Sequence, residues 1–106
     1  SVLKNNKDLE QSFKKLLSEQ SSDNFLILHD YHFGGYAKHH PILTGFMNFF
    51  YQQTGVPTDF VYTAKLFYAI NDMVIKNHFE QGAKILVIHS GGLQGNLSLP
   101  KGTLIF

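Results

Sequence analysis

The sequence predicts an α/β fold, part of a parallel-stranded open sheet flanked by helices. Two observations carry most of that expectation. Phe25-Leu26-Ile27-Leu28 and Ile85-Leu86-Val87-Ile88 are continuous apolar runs, the pattern of strands buried on both faces. Each run ends in a polar tip, His29-Asp30-Tyr31-His32 after the first and His89-Ser90 after the second, and each leads to a glycine pair, Gly34-Gly35 and Gly91-Gly92. The third observation is what lies around them: segments of helical periodicity before, between and after the first run's loop. If both strands ran parallel, their Gly-Gly loops would open on the same sheet edge, where open α/β sheets bind ligands.

Taken in order, residues 7 to 19 place Leu9, Phe13, Leu16 and Leu17 on one helical face, with Lys7, Glu10, Lys14, Lys15 and Glu19 on the rest. Asn6 or Asp8 is suited to cap this helix. Gln20-Ser21-Ser22-Asp23-Asn24 reads as a polar loop. After the first apolar run and its loop, Pro41 suits the first turn of a helix. Residues 42 to 53 are apolar on more than one side, the mark of a buried helix. Gly55 fits the left-handed end of that helix, and Pro57 prevents its continuation. Thr63 is a candidate cap for a further helix over 64 to 78, with Leu66, Ala69, Ile70, Met73 and Val74 on one side. Gly82 suits a left-handed turn before the second apolar run. Residues 97 to 106 read as a tail with a short edge strand at most. The chain thus divides into a helix and loop (1–24), a portion bearing the expected cleft (25–96) and a tail (97–106).

Composition narrows the function classes. The chain has 106 residues, 43% hydrophobic and 16% charged, which suits one small globular domain and not a disordered chain. Net charge is +1, with no basic field to recruit nucleic acid. Arginine is absent, so an anion would be held by lysine or backbone N–H groups. Cysteine is absent too, which excludes disulfides and thiolate metal sites and is compatible with a cytoplasmic protein. No apolar run approaches the roughly 20 residues needed to cross a bilayer, so no membrane role is expected. No signal peptide opens the chain. Ten Phe and five Tyr are many for this length, which suggests that some face another part of a larger protein.

Several residues carry candidate chemistry. His29, His32, His39 and His40 are close in sequence, but their spacing gives no tetrahedral ligand set, and no metal is expected. Lys38 and Lys65 sit beside the loops, where a structural role is favoured over a Schiff base. Tyr36 and Tyr62 stand in loops, where a phenol can act as acid, base or orienting donor. Ser90 ends the second apolar run with its hydroxyl at the tip. Gly91 and Gly92 permit positive φ or close approach to a ligand.

Three ordered segments carry a resemblance: Phe33-Gly34-Gly35-Tyr36-Ala37-Lys38, Asp59-Phe60-Val61-Tyr62-Thr63-Ala64-Lys65, and Ile88-His89-Ser90-Gly91-Gly92-Leu93-Gln94-Gly95. Together they resemble the C-terminal part of the 1-aminocyclopropane-1-carboxylate deaminase and D-cysteine desulfhydrase family, pyridoxal-phosphate enzymes of the tryptophan-synthase-β fold type. The family's second segment runs Asp-Pro-Val-Tyr, then Glu or Thr, then Gly-Lys; Phe60 and Ala64 depart from it. Cyclopropane-cleaving members carry Glu where this chain has Thr63, and desulfhydrase-like members carry Thr.

The resemblance implies that Tyr36 and Tyr62 are catalytic, and that Ser90, Thr63, Gly91 and Gly92 contact pyridoxal phosphate. Either Ser90 or Thr63 would meet the pyridine nitrogen. A neutral hydroxyl there makes the ring a weaker electron sink, suited to β-elimination. It further implies a small amino-acid substrate, a homodimer, and a Schiff-base lysine and phosphate loop upstream of this chain. The 106 residues are then expected to be the C-terminal portion of a deaminase or lyase, inactive alone and completed by an N-terminal part. The alternative is a non-catalytic small α/β module that binds an anion through its Gly-Gly tips, or an interaction module.

Overall fold

The computed structural model describes residues 1–17 and 24–106. Among them lie three α-helices, α1 (Leu9–Leu17), α2 (Pro41–Thr54) and α3 (Thr63–Ile75), and a 3₁₀ helix at Leu93–Ser98. The expected loop at Gln20-Ser21-Ser22-Asp23 lies outside the described residues.

The expected parallel-stranded sheet is not formed. Among the described residues there is no strand, and both apolar runs carry no regular secondary structure. The physical reason is the absence of a partner. A strand exists by its ladder to a neighbour about 4.8 Å away. Among the described residues the backbone of 25–28 is met by the Ser1 ammonium, which donates to the Leu28 carbonyl. Nor is the second run buried: Leu86 is 87% exposed and Ile88 71%. A continuous apolar run gives the side chains of a buried strand, but the hydrogen bonds must come from elsewhere. The α/β fold class is therefore corrected to a helical arrangement.

The helices follow their local chemistry closely. Pro41 opens α2, and the His40 ring accepts the Ile42 N–H at 3.1 Å as its cap. Gly55 closes it at φ 70°, with its N–H donating to the Tyr51 carbonyl at 2.8 Å. At α1, the Asp8 carbonyl accepts from the Ser12 N–H. Yet α1 buries none of its residues, and Leu16 is 84% exposed. Among the described residues its aromatic contact is Phe13 against Phe25, ring centroids 4.8 Å apart.

The core is small and centred on α2 and α3. Leu43 and Met47 from α2, Phe60 and Val61 from the connecting turn, and Ala64 from α3 are buried together. Phe33, Tyr68, Leu99, Leu104 and Phe106 pack around them. Aromatic edges close the gaps, with Phe33 and Phe46 each edge-on to Tyr68 and Phe50 against Phe67. The expectation that α2 is buried all round is corrected: Ile42 and Phe49 face out. Total accessible surface is 7824 Å², against about 6,000 Å² expected for a compact protein of this mass. The radius of gyration, 15.3 Å, likewise exceeds the compact value of about 13 Å. Large apolar side chains outside the α2–α3 core stay exposed, Leu86 and Leu97 at 87% each. No helix among the described residues is long and apolar enough to cross a membrane.

Gly45 gives a clean test of the helix. It sits inside α2 with open space where a Cβ would go. Gly45→Ala removes backbone freedom from the unfolded chain without a clash, so it is expected to stabilise by about 1 kcal/mol. A raised thermal midpoint would show it.

Candidate functional site

The three motif segments come together at the head of α3. The element that gathers them is Asp59, fully buried, whose carboxylate receives four hydrogen bonds. Oδ2 accepts the N–H groups of Val61 and Tyr62, each at 2.9 Å. Oδ1 accepts the Thr63 N–H at 3.0 Å and the Thr63 hydroxyl at 2.7 Å. The Asp59 N–H donates back to Thr63 Oγ1 at 2.8 Å, and the Asp59 carbonyl accepts from Ala64. One carboxylate thus satisfies the donors that a helix start leaves without partners. The expected cap at Thr63 is corrected: Thr63 is the first helical residue, and Asp59 supplies the capping oxygens.

The third segment packs onto this turn. The Asn96 amide donates to the Thr58 carbonyl at 2.9 Å, and its oxygen accepts the Phe60 N–H at 3.1 Å. A side chain with one donor end and one acceptor end suits that pair of backbone groups. Gly92 lies over the carboxylate so closely that a Cβ would sit 3.1 Å from Asp59 Oδ1. Gly91 and Gly92 take φ of 85° and 100°, the positive values expected of them. The His89 ring bridges the Pro57 carbonyl and the Gly91 N–H.

The first segment is tied to the same helix by Lys65. Its ammonium, on the first turn of α3, donates to the carbonyls of His32 and Gly35, both at 2.8 Å. Lys65 is only 3% exposed, and burial pushes its amine below the ordinary lysine range while the Asp59 charge opposes the shift. The loop it holds is unusual. Phe33 and Ala37 take φ of 51° and 52°, and Gly34 and Gly35 are also left-handed. A bulky residue there costs of order 1 kcal/mol or more, so the conformation needs outside support.

Tyr36 follows directly and meets Tyr62, ring centroids 6.0 Å apart and edge to face. The Tyr62 phenol is held above its usual range, first by its hydrogen bond to Tyr36, then by burial and by the charges of Tyr36 and Asp59. Both rings are about half exposed, so the pair faces outward and can meet a ligand. A small cavity of about 180 Å³ adjoins it, lined by Leu28, Tyr31, Tyr62, Lys65, Leu66 and Ala69.

The remaining candidates separate cleanly. The Thr63 hydroxyl is buried and fully engaged with Asp59. Ser90 is exposed, and its hydroxyl has no partner among the described residues. Lys38 is exposed on the loop. The histidines have local work: His29 pairs with Glu10, His32 accepts the Gly34 N–H, and His39 packs edge-on against Phe60. Among the described residues no group of three or more acidic or histidine side chains is placed for a metal ion. A wider groove of about 780 Å³, lined by Tyr51, Leu97, Leu99, Leu104 and Phe106 among others, lies away from both phenols. The sequence reading passed over Asn96, whose only signal is its place one residue after Gly95. It also passed over Asp59 as a hub, because Asp59 stands three residues before the N-cap Tyr62, outside the usual capping position.

Comparison with known proteins places these residues in company. Over 68 residues the chain is 41% identical to a protein of Pyrococcus furiosus and 40% identical to one of Pyrococcus horikoshii. Both carry a provisional name as 1-aminocyclopropane-1-carboxylate deaminases. The aligned stretch covers 64% of this chain and 20% of each relative, so the chain spans about a fifth of the length of the curated relatives it matches. No family model and no solved structure matches it. Over those 68 residues the chain resembles proteins named as 1-aminocyclopropane-1-carboxylate deaminases, the family that the three segments also resemble.

Proposed function

We propose that this chain forms one wall of the cofactor and substrate site of a pyridoxal-phosphate-dependent deaminase or lyase. The whole protein would act on a small amino acid and release ammonia and a 2-oxo acid. The observation that carries the reading is the outward-facing pair Tyr36–Tyr62, held on the same helix head as the glycine loop behind Ser90.

The residues fit one edge of the cofactor. Ser90 offers an exposed hydroxyl with no other partner among the described residues, suited to a ring nitrogen. Gly91 leaves open space beside it. Thr63 is committed to Asp59, so of the two candidate hydroxyls Ser90 is the one available. The residues do not fit the aldehyde or phosphate ends: Lys65 is engaged by two carbonyls, and the glycine loop leads only into a short 3₁₀ helix. Those ends would be held by an N-terminal part of the same protein, in a cytoplasmic homodimer.

When bound, pyridoxal phosphate supplies the electron sink for breaking a bond next to the substrate's amino group. The chain's own contribution is proton handling. Tyr62, held above the ordinary phenol range first by Tyr36, is a donor at neutral pH; Tyr36 orients it through their edge-to-face contact. Thr63 at the position beside Tyr62 favours a desulfhydrase-like substrate over the cyclopropane, by the family pattern above.

The test uses the full-length protein. Wild type is expected to bind pyridoxal phosphate and release ammonia from 1-aminocyclopropane-1-carboxylate or D-cysteine. Ser90→Ala should weaken cofactor binding about fivefold, the worth of one ordinary hydrogen bond. A wild-type protein that neither binds the cofactor nor releases ammonia would overturn the proposal.

A further inference from the structure

We infer that Lys65 is a positioning residue, a buried ammonium whose grip on the His32 and Gly35 carbonyls sets the Tyr36 phenol against Tyr62. Four features of the molecule lead there.

Lysine is rarely buried without a carboxylate partner, and the contacts of Lys65 Nζ are two backbone carbonyls at 2.8 Å. Those carbonyls belong to a loop with Phe33, Gly34, Gly35 and Ala37 all at positive φ. The second, Gly35, immediately precedes Tyr36. The ammonium itself stands three residues after Tyr62 on a helix whose start is fixed by Asp59. Lys65 is therefore a direct bridge between the backbones that carry the two phenols. Within the loop, Gly34 N–H donates to the His32 ring, Gly35 N–H to the His32 carbonyl and Lys38 N–H to the Gly35 carbonyl; the ties to α3 before it, Tyr31 O–H on Asp72 and the Phe33 ring on Tyr68, leave Gly35 and Tyr36 to Lys65.

A charged donor suits this task. Hydrogen bonds from an ammonium are about twice as strong as neutral ones. Its flexible stem also lets one atom reach two carbonyls, which a planar guanidinium would do less readily. Lys65 does not touch substrate in this reading and is not assigned a catalytic role.

The test follows the Tyr62 phenol by carbon NMR in the full-length protein with labelled tyrosine, assigned with Tyr62→Phe. In Lys65→Met the loop is released, and Tyr62 should titrate at lower pH than in wild type. The shift should have the sign of that in Tyr36→Phe and should not exceed it, because both variants remove the Tyr36 contact and only Lys65→Met also removes a positive charge. The sign is informative. Loss of a nearby positive charge alone would raise a phenol's titration point; loss of the Tyr36 contact lowers it. Lys65→Gln, which keeps one donor group, should fall between wild type and Lys65→Met, and it serves if the methionine variant does not fold. An unchanged or raised Tyr62 titration in a folded variant overturns the inference.

The effect on turnover, a fall in kcat of about tenfold with little change in KM, rests on the proposed reaction. The two readings fail separately. A shifted Tyr62 titration in a protein with no cofactor binding defeats the proposed function and leaves the positioning role standing.

Discussion

Asp59→Ala should destabilise the protein by on the order of 3–5 kcal/mol, the largest single-residue loss expected in this chain. The alanine abandons three backbone N–H groups and one hydroxyl that now end on the carboxylate. Val61 and Thr63 are buried, so water cannot replace what is lost there. The backbone N–H at position 59 would still reach Thr63 Oγ1, and the carbonyl would still receive Ala64, which is why α3 itself should survive. The damage should be local: the turn opens, Gly92 loses the surface it rests on, and Tyr62 is no longer held. Asp59→Asn keeps one acceptor oxygen and replaces the other by a donor facing donors, so it should recover less than half of the loss. Urea unfolding reads the stability, and amide exchange at Val61, Tyr62 and Thr63 should rise well before exchange in α2.

Gly92→Ala should cost about 2–3 kcal/mol, from two sources that act together. The first is conformational, because φ at Gly92 is 100°, beyond the range a side chain tolerates easily. The second is contact with a carboxylate that cannot move. The new Cβ would lie 3.1 Å from Asp59 Oδ1 and 3.3 Å from its Cγ, and four hydrogen bonds hold that group in place. Gly91→Ala separates the two terms. Its φ of 85° is also positive, but an added Cβ meets nothing within 4 Å. It should therefore cost about 1 kcal/mol, the conformational part alone. If the two variants were equally destabilised, the close packing of the glycine loop on Asp59 would be disproved.

These effects concentrate where the sequence was legible in one sense and opaque in another. The helices were readable because their signals are local. Pro41 and Gly55 mark the ends of α2 within a residue, and the apolar period finds α3. The sheet was misread because a strand is not a local property. Ile85-Leu86-Val87-Ile88 has the side chains of a buried strand, yet the ladder that would make it one is a matter of partners, and among the described residues it has none.

The candidate site was readable mainly as an ordered set of motifs. That set led to Tyr36, Tyr62 and the glycine loop, and the structure ties all three segments to one helix head. The ties themselves were not readable. Asp59 was visible only as the first letter of a motif, Asn96 as a polar residue at the end of the glycine stretch, and Lys65 as a lysine beside a loop. Each acts by binding backbone groups far away in sequence, Asn96 across 38 residues and Lys65 across 33. Sequence pattern records which side chains are present, not which carbonyl they will find. Thr63 shows the same limit from the other side: its hydroxyl was a reasonable cofactor ligand until Asp59 was found to occupy it.

The most direct measurement is a crystal structure of the full-length protein with pyridoxal phosphate bound. The account expects Asp59 to hold the Val61, Tyr62 and Thr63 amides as described, with the Ser90 hydroxyl on the ring nitrogen and the Tyr36–Tyr62 pair opening into the same cavity. A cofactor bound elsewhere, or Ser90 and the two phenols facing different sides of the protein, would contradict it.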